Sequence, residues 1–299
     1  MFSKRSITKF EPIVHEKVEL LSQGIAAYEG SDRVLSLNSA FNAFAGDVIA
    51  SYCFGFSYDQ LKSPDFHDNF HSAYEGVRRF SHFGLQFPSV FIMFVLQKDL
   101  QGKITNIING HEKSQLDSEH PTIFNELLRS NLPPPEKSVR RLGSEAQQMI
   151  GAGVETVAWA LTTTVFYLLN NPSSLNRLRI ELEEAIPDPA KLPDSLILEK
   201  LPYLAACAKE GVRLSTGVSV RLPRVSPNKP IKYRDWVIPP GTPVSMTTLD
   251  VLRDQQVFPD SASFVPERWL DNPKTKDGDS INRYFVPFGK GPRMCIGIK

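Results

Sequence analysis

The sequence has few cysteines, almost no net charge and no long apolar run. Its 299 residues hold three cysteines. Cys53, Cys207 and Cys295 are widely scattered, with no Cys-x-x-Cys pair. An odd, scattered set excludes a disulfide scaffold and a cysteine-based zinc module, and points to a reducing compartment where any functional cysteine acts alone. Lys and Arg total 34 against 33 Asp and Glu. That balance excludes recruitment of nucleic acid by bulk charge. The longest apolar stretches, 90–96 and 157–169, fall short of the roughly 18 residues that a membrane span needs, so no transmembrane segment is expected in this chain. Met1-Phe2-Ser3-Lys4-Arg5 leads into a mixed polar segment, which is not a secretory signal. Gly-x-Ser-x-Gly, P-loop and His-Glu-x-x-His patterns do not occur. What is present is ordinary for a globular chain: 41% hydrophobic and 22% charged residues, in a length that buries one large core or two smaller ones.

Proline divides the sequence. Of 23 prolines, seven precede Pro172 and sixteen lie from Pro172 onward. The first part is therefore free to be mostly helix, and the second must be broken by turns. The longest helical reading starts near Gly143 or Ser144, with Ser144 as N-cap, and stops at Asn170-Asn171-Pro172. About 27 residues at 1.5 Å each span roughly 40 Å, and an apolar helix of that length should cross the centre of a domain. Shorter helices are expected at about 8–29, 39–54, 66–80, 97–113, 173–185 and 201–215. Alternation at Val218, Val220 and Leu222 predicts a strand, and Lys232-Tyr233 and Trp236-Val237-Ile238 predict others before the turn Pro239-Pro240-Gly241. The expected organisation is one domain over 1–299, mainly helical over 1–217, β-rich over 218–250 and looped over 251–299.

The strongest chemical signal is Phe288-Gly289-Lys290-Gly291-Pro292-Arg293-Met294-Cys295-Ile296-Gly297. The glycines permit tight turns and close approach to a flat ligand. A cysteine at the start of a helix is favoured as thiolate, hence as a metal ligand. Cys53 and Cys207 carry no such surroundings and read as small buried hydrophobes. A dinucleotide fingerprint is excluded, because Gly289-x-Gly291 lacks a third glycine and opens no βαβ unit. The decamer resembles the haem-ligating loop of the cytochrome P450 family, Phe-x-x-Gly-x-Arg-x-Cys-x-Gly, through Phe288, Gly291, Arg293, Cys295 and Gly297. The resemblance implies haem b with Cys295 as axial thiolate, Arg293 on a haem propionate and Phe288 beside the sulfur. A thiolate ligand pushes electron density toward iron and favours O–O cleavage.

Glu210-Gly211-Val212-Arg213 places an acid and a base on one helix face. Spacing alone is weak: the same tetrapeptide occurs at 75–78, Glu126 and Arg129 share it, and a solvated ion pair is the ordinary explanation. Chain order adds weight. Leu201-Pro202-Tyr203-Leu204 precedes Glu210, and Pro266-Glu267-Arg268-Trp269 lies between it and Cys295. That order is similar to the family's Glu-Arg-Arg triad, implying Glu210, Arg213 and Arg268 as a structural cluster that pins the loop before the cysteine.

Ala152-Gly153-Val154-Glu155-Thr156 resembles the family's oxygen-activation segment. By that resemblance Gly153 leaves room for a ligand on iron, while Glu155 and Thr156 relay protons. A core helix with a tolerated glycine is the plain alternative. Arg224 is implied at a second propionate, with 216–220 lining the substrate pocket; two surface arginines, Arg221 and Arg224, on an edge strand is the other reading. His67 and His71 have metal-ligand spacing but no third partner, and read as a solvated helix face. Phe87, Phe91 and Phe94 read as core or substrate roof.

The resemblance as a whole implies an incomplete P450 fold, mainly α with a small β part and cut at both ends. It implies a fungal microsomal-type monooxygenase that inserts one atom of O2 into an apolar small-molecule substrate, with electrons from NADPH through NADPH-cytochrome P450 reductase. Such an enzyme sits on the cytosolic face of the endoplasmic reticulum, membrane-bound only through an N-terminal anchor outside this chain. A catalytically silent fragment is the alternative expectation, and a haem-thiolate isomerase or dehydratase a lesser one.

Overall fold

A computed structural model describes residues 4–66, 94–109, 122–189 and 191–298. The helix expected at 66–80, the pair His67 and His71, and the side chains of Phe87, Phe91 and Phe94 lie outside the described residues. The described residues form two compact units, Met1–Thr162 with Leu192–Ser195, and Thr163–Lys191 with Leu196–Ile298.

The first unit is helical: α1 (Lys4–Ala26), α2 (Leu37–Phe54), α3 (Phe94–Ile108), α4 (Ile123–Arg129) and the first part of α5 (Val139–Leu169). Side-chain caps fix the starts. Ser36 accepts from the Ser39 amide before α2, and Thr122 accepts from the Asn125 amide before α4. Gly55 closes α2 in the left-handed region at φ 79°. The core is a stripe on α5, Leu142, Ala146, Ile150 and Val154, packed with Ala50, Cys53 and Phe54 of α2, Leu100 and Ile104 of α3, and Phe124 of α4. A spacing of four residues on α5 keeps those side chains on one slowly turning face.

Helix α5 starts at Val139, not at Ser144. Ser138 is the residue whose carbonyl takes the first helical amide, from Leu142, and whose hydroxyl accepts from Arg141. Gly143 does not break the helix; it lies where the Gln101 side chain of α3 packs, 2.9 Å from where a Cβ would stand. The extension brings Leu142 into the core stripe. It also makes α5 long and apolar enough to cross a membrane by length and composition, a test that a soluble core helix also passes. Its second half does not bury its whole circumference: Val157, Trp159, Phe166 and Leu169 are exposed.

The second unit contains the end of α5, α6 (Pro172–Ala185), most of α7 (Ser195–Leu198), α8 (Pro202–Ser215), α9 (Thr248–Leu252) and two small antiparallel sheets. Pro172 and Pro202 stand at the first helical positions, where the missing N–H costs nothing. The α8 N-cap position is Leu201, which has no capping side chain. Glu181 of α6 supplies the anion instead, accepting from the Tyr203 amide at 2.8 Å and the Leu204 amide at 2.7 Å. Strand β1 (Arg224–Val225) pairs with β4 (Pro243–Val244), and β2 (Ile231–Tyr233) pairs with β3 (Trp236–Ile238) through a tight turn at Arg234-Asp235. The strand expected at 218–222 does not form. Thr247 and Thr248 hydroxyls donate to the carbonyls of Ser219 and Val218, so those acceptors go to side chains.

Candidate functional site

Glu210 and Arg213 share one face of α8, and both are 0% exposed. The Glu210 carboxylate accepts five hydrogen bonds. Oε1 takes Arg213 Nη2 at 2.8 Å, Arg268 Nε at 3.0 Å and the Val265 amide at 3.0 Å. Oε2 takes Arg213 Nε and Trp269 Nε1, each at 2.9 Å. Arg213 directs its remaining protons to the carbonyls of Leu252, Ser261 and Ser263, so every donor of its guanidinium is engaged. Arg268 reaches the Pro259 carbonyl with Nη1. Burial pushes the Glu210 pKa up, but the Arg213 hydrogen bonds and the two guanidinium charges outweigh it and hold the carboxyl below its ordinary value.

The expected triad of Glu210, Arg213 and Arg268 is thus brought together. Trp269 and the Val265 amide belong to the same cluster and were not anticipated from the sequence; the signal for the tryptophan was its place directly after Arg268. Burial separates this pair from its look-alike: Arg129 on α4 is exposed, and 75–78 is outside the described residues. Gly211 has a separate task. A Cβ there would stand 2.7 Å from Thr164 Cβ, so only glycine allows α8 to cross the end of α5 this closely.

From Trp269 a run of rings leads to the cysteine loop. Phe258 lies 5.8 Å from Trp269, Trp269 meets Phe285 edge-on at 5.1 Å, and Phe285 meets Phe288 edge-on at 6.3 Å. Phe288 then closes the loop, its carbonyl accepting the Cys295 amide at 2.8 Å. Gly289 and Gly291 adopt φ of 70° and 79°, backbone that favours glycine. Residues Gly291–Arg293 make a single 3-10 turn. Cys295 is the exposed cysteine, whereas Cys53 and Cys207 are buried with thiols pushed up to about 12 by burial. Its sulfur lies 3.7 Å from where a Gly297 Cβ would stand, an ordinary contact distance. Arg293 is exposed beside it. Among the described residues no group of three His, Cys, Asp or Glu could hold a metal by itself. A lone exposed thiol on a glycine-permitted loop fits a metal that brings its other ligands with it, as a prosthetic group does.

The profile of the Cytochrome P450 family matches residues 1–299. The chain belongs to the cytochrome P450 family. Among curated P450s, the chain is 68% identical to the cytochrome P450 monooxygenase sdnE of Sordaria araneosa, covering 100% of this chain and 63% of that protein. It is 37% identical to the monooxygenase orf6 of Eupenicillium brefeldianum, over 99% of this chain and 63% of the relative. It is 35% identical to the tryptophan 6-hydroxylase fscE of Fusarium equiseti, over 100% and 62%. The chain thus spans about three-fifths of the length of these relatives. The mainly helical build with two small sheets is that of an incomplete P450 fold.

Residues 152–156, expected from the resemblance to serve oxygen activation, lie on α5 in the first unit. Thr156 Oγ1 donates to the Ala152 carbonyl at 2.6 Å. A Cβ on Gly153 would stand 2.8 Å from Ile49 Cγ1, so α2 packs closely against the helix at this glycine. Arg224 sits exposed on β1 with Nη1 turned back to the Pro223 carbonyl at 3.0 Å. Thr216 ends α8 in the left-handed region at φ 46°, and 217–220 are exposed.

Proposed function

We propose that this P450 domain is a haem-thiolate monooxygenase with Cys295 as the axial ligand. The observation that carries the reading is the one exposed cysteine, held by the Phe288 carbonyl on a loop that two positive-φ glycines shape. The haem, when bound, supplies the redox chemistry by which one atom of O2 enters an apolar small-molecule substrate.

The chain's own residues divide the remaining work. Cys295 offers the thiolate from an exposed position. Arg293 and Arg224 offer guanidiniums to the haem's carboxylates. Thr156 directs its hydroxyl proton into the helix, toward Ala152, which leaves the oxygen's lone pairs to accept a proton donor. Glu155 is the neighbouring acid from which protons pass to that hydroxyl. Glu210, Arg213 and Arg268 hold the fold beneath the loop and touch no reactant. Electrons come from NADPH through NADPH-cytochrome P450 reductase, and an apolar substrate fits an enzyme at the cytosolic face of the endoplasmic reticulum. The name of the Fusarium relative, a tryptophan 6-hydroxylase, supports a ring-bearing small molecule as the substrate class.

The test is the reduced-CO difference spectrum of the haem-loaded protein. The wild type gives the thiolate-type band and Cys295→Ala abolishes it. A band that survives Cys295→Ala unchanged would refute the ligand assignment.

A further inference from the structure

We propose that Trp269 is a positioning residue for the cysteine loop, acting through Phe285 and Phe288. Three observations converge on it. Its indole N–H is fixed by a buried charge, donating to Glu210 Oε2 at 2.9 Å, so the ring has one azimuth rather than several. Its ring meets that of Phe285 in a T-shaped pair at 71° between planes, and Phe285 in turn meets Phe288 at 77°. Edge-to-face pairs are directional, so each ring constrains the tilt of the next. The last ring belongs to the residue whose carbonyl holds the Cys295 amide. Residues 291–298 are exposed, so no buried packing of their own sets their orientation. The tilt of the loop is therefore inherited from beneath, from a carboxylate on α8 through three aromatic rings.

The two ends of this relay separate experimentally. Trp269→Phe keeps a ring but removes the hydrogen bond to Glu210. Phe285→Leu leaves that hydrogen bond intact and cuts the relay one ring later. Leu178→Ala, in the α6 core away from the rings, serves as a destabilised control. Amide hydrogen exchange over 288–295 reads the loop without haem. Phe285→Leu should speed exchange there by roughly three- to tenfold, the size of the lost Phe285–Phe288 pair, and Trp269→Phe, which loses only the hydrogen bond that sets its ring, should speed it by less, each beyond Leu178→Ala matched for global stability. Only Trp269→Phe should also move the acid unfolding midpoint, because only it touches Glu210.

In the haem-loaded protein both relay variants should lower the ratio of thiolate-type to thiol-type reduced-CO band, while Leu178→Ala leaves the ratio unchanged. This second arm rests on Cys295 as haem ligand, and the exchange arm does not, so the two readings fail separately. Loop exchange in Phe285→Leu that matches Leu178→Ala would overturn the proposal, as would a wild-type band ratio in both relay variants. Should Trp269→Phe not fold, Phe285→Leu alone decides.

Discussion

Glu210→Gln removes one negative charge and almost no volume, and the geometry sets what that costs. Oε1 accepts three hydrogen bonds and Oε2 accepts two. An amide must put its NH2 on one side. The less costly choice faces Arg213 Nε and Trp269 Nε1, setting donors against donors in a site without exposure. Arg213 meanwhile stays buried, with its counter-charge gone. Breaking a buried pair from one side costs about 3–5 kcal/mol, against a total stability of about 5–15 kcal/mol. With a urea slope of about 2 kcal/mol/M, the unfolding midpoint should fall by about 1.5–2.5 M. Equilibrium urea unfolding followed by tryptophan fluorescence measures this directly, since Trp269 is itself in the cluster. A midpoint within about 0.5 M of wild type would refute the buried-charge account.

Other outcomes follow from the same geometry. The Glu210 carboxyl is held below its ordinary 4.5, so its stabilising contribution is complete above that pH and fades as pH falls below it. The urea midpoints of wild type and Glu210→Gln should therefore converge as pH falls below 4.5, and a constant gap would contradict the assignment. Gly211→Ala forces a methyl onto Thr164 and should cost about 1–3 kcal/mol, part of which Thr164→Ala restores in the double variant; strict additivity would show that the two do not collide. At neutral pH a thiol reagent should modify one cysteine in the native haem-free chain, Cys295, and all three in denaturant. At pH 8, thiols near pKa 12 are ionised in only about one molecule in ten thousand. Mass spectrometry that finds Cys53 or Cys207 modified first would overturn the burial pattern.

Much of the site was legible because its chemistry needs fixed residue types. The cysteine loop depends on glycines at positive φ, and Gly289 and Gly291 stand where the backbone demands them. The Glu210–Arg213 pair was legible in spacing, but its burial was not, because helical spacing does not say which face is covered. The start of α5 was misplaced because Ser144 reads as an N-cap, whereas Ser138 caps the helix and Gly143 lies inside it, seating Gln101. Val218, Val220 and Leu222 carry a strand's alternation, yet each is exposed and the local carbonyls are taken by Thr247 and Thr248. At Gly153 a glycine in a helix marks a close approach, and the sequence does not name Ile49 as the neighbour that makes it.

The closure of the cysteine loop has a consequence for the order of folding. The Cys295 amide meets a carbonyl seven residues back, whereas Arg268 meets Glu210 across 58 residues. Loop-closure entropy grows with the logarithm of that separation, a difference of about 1.9 kcal/mol in favour of the short loop. The loop is thus a local event that can form and re-form quickly, while the Glu210 cluster is the slow long-range event. On refolding from denaturant, the turn that carries the thiol should therefore close before the platform beneath it has assembled.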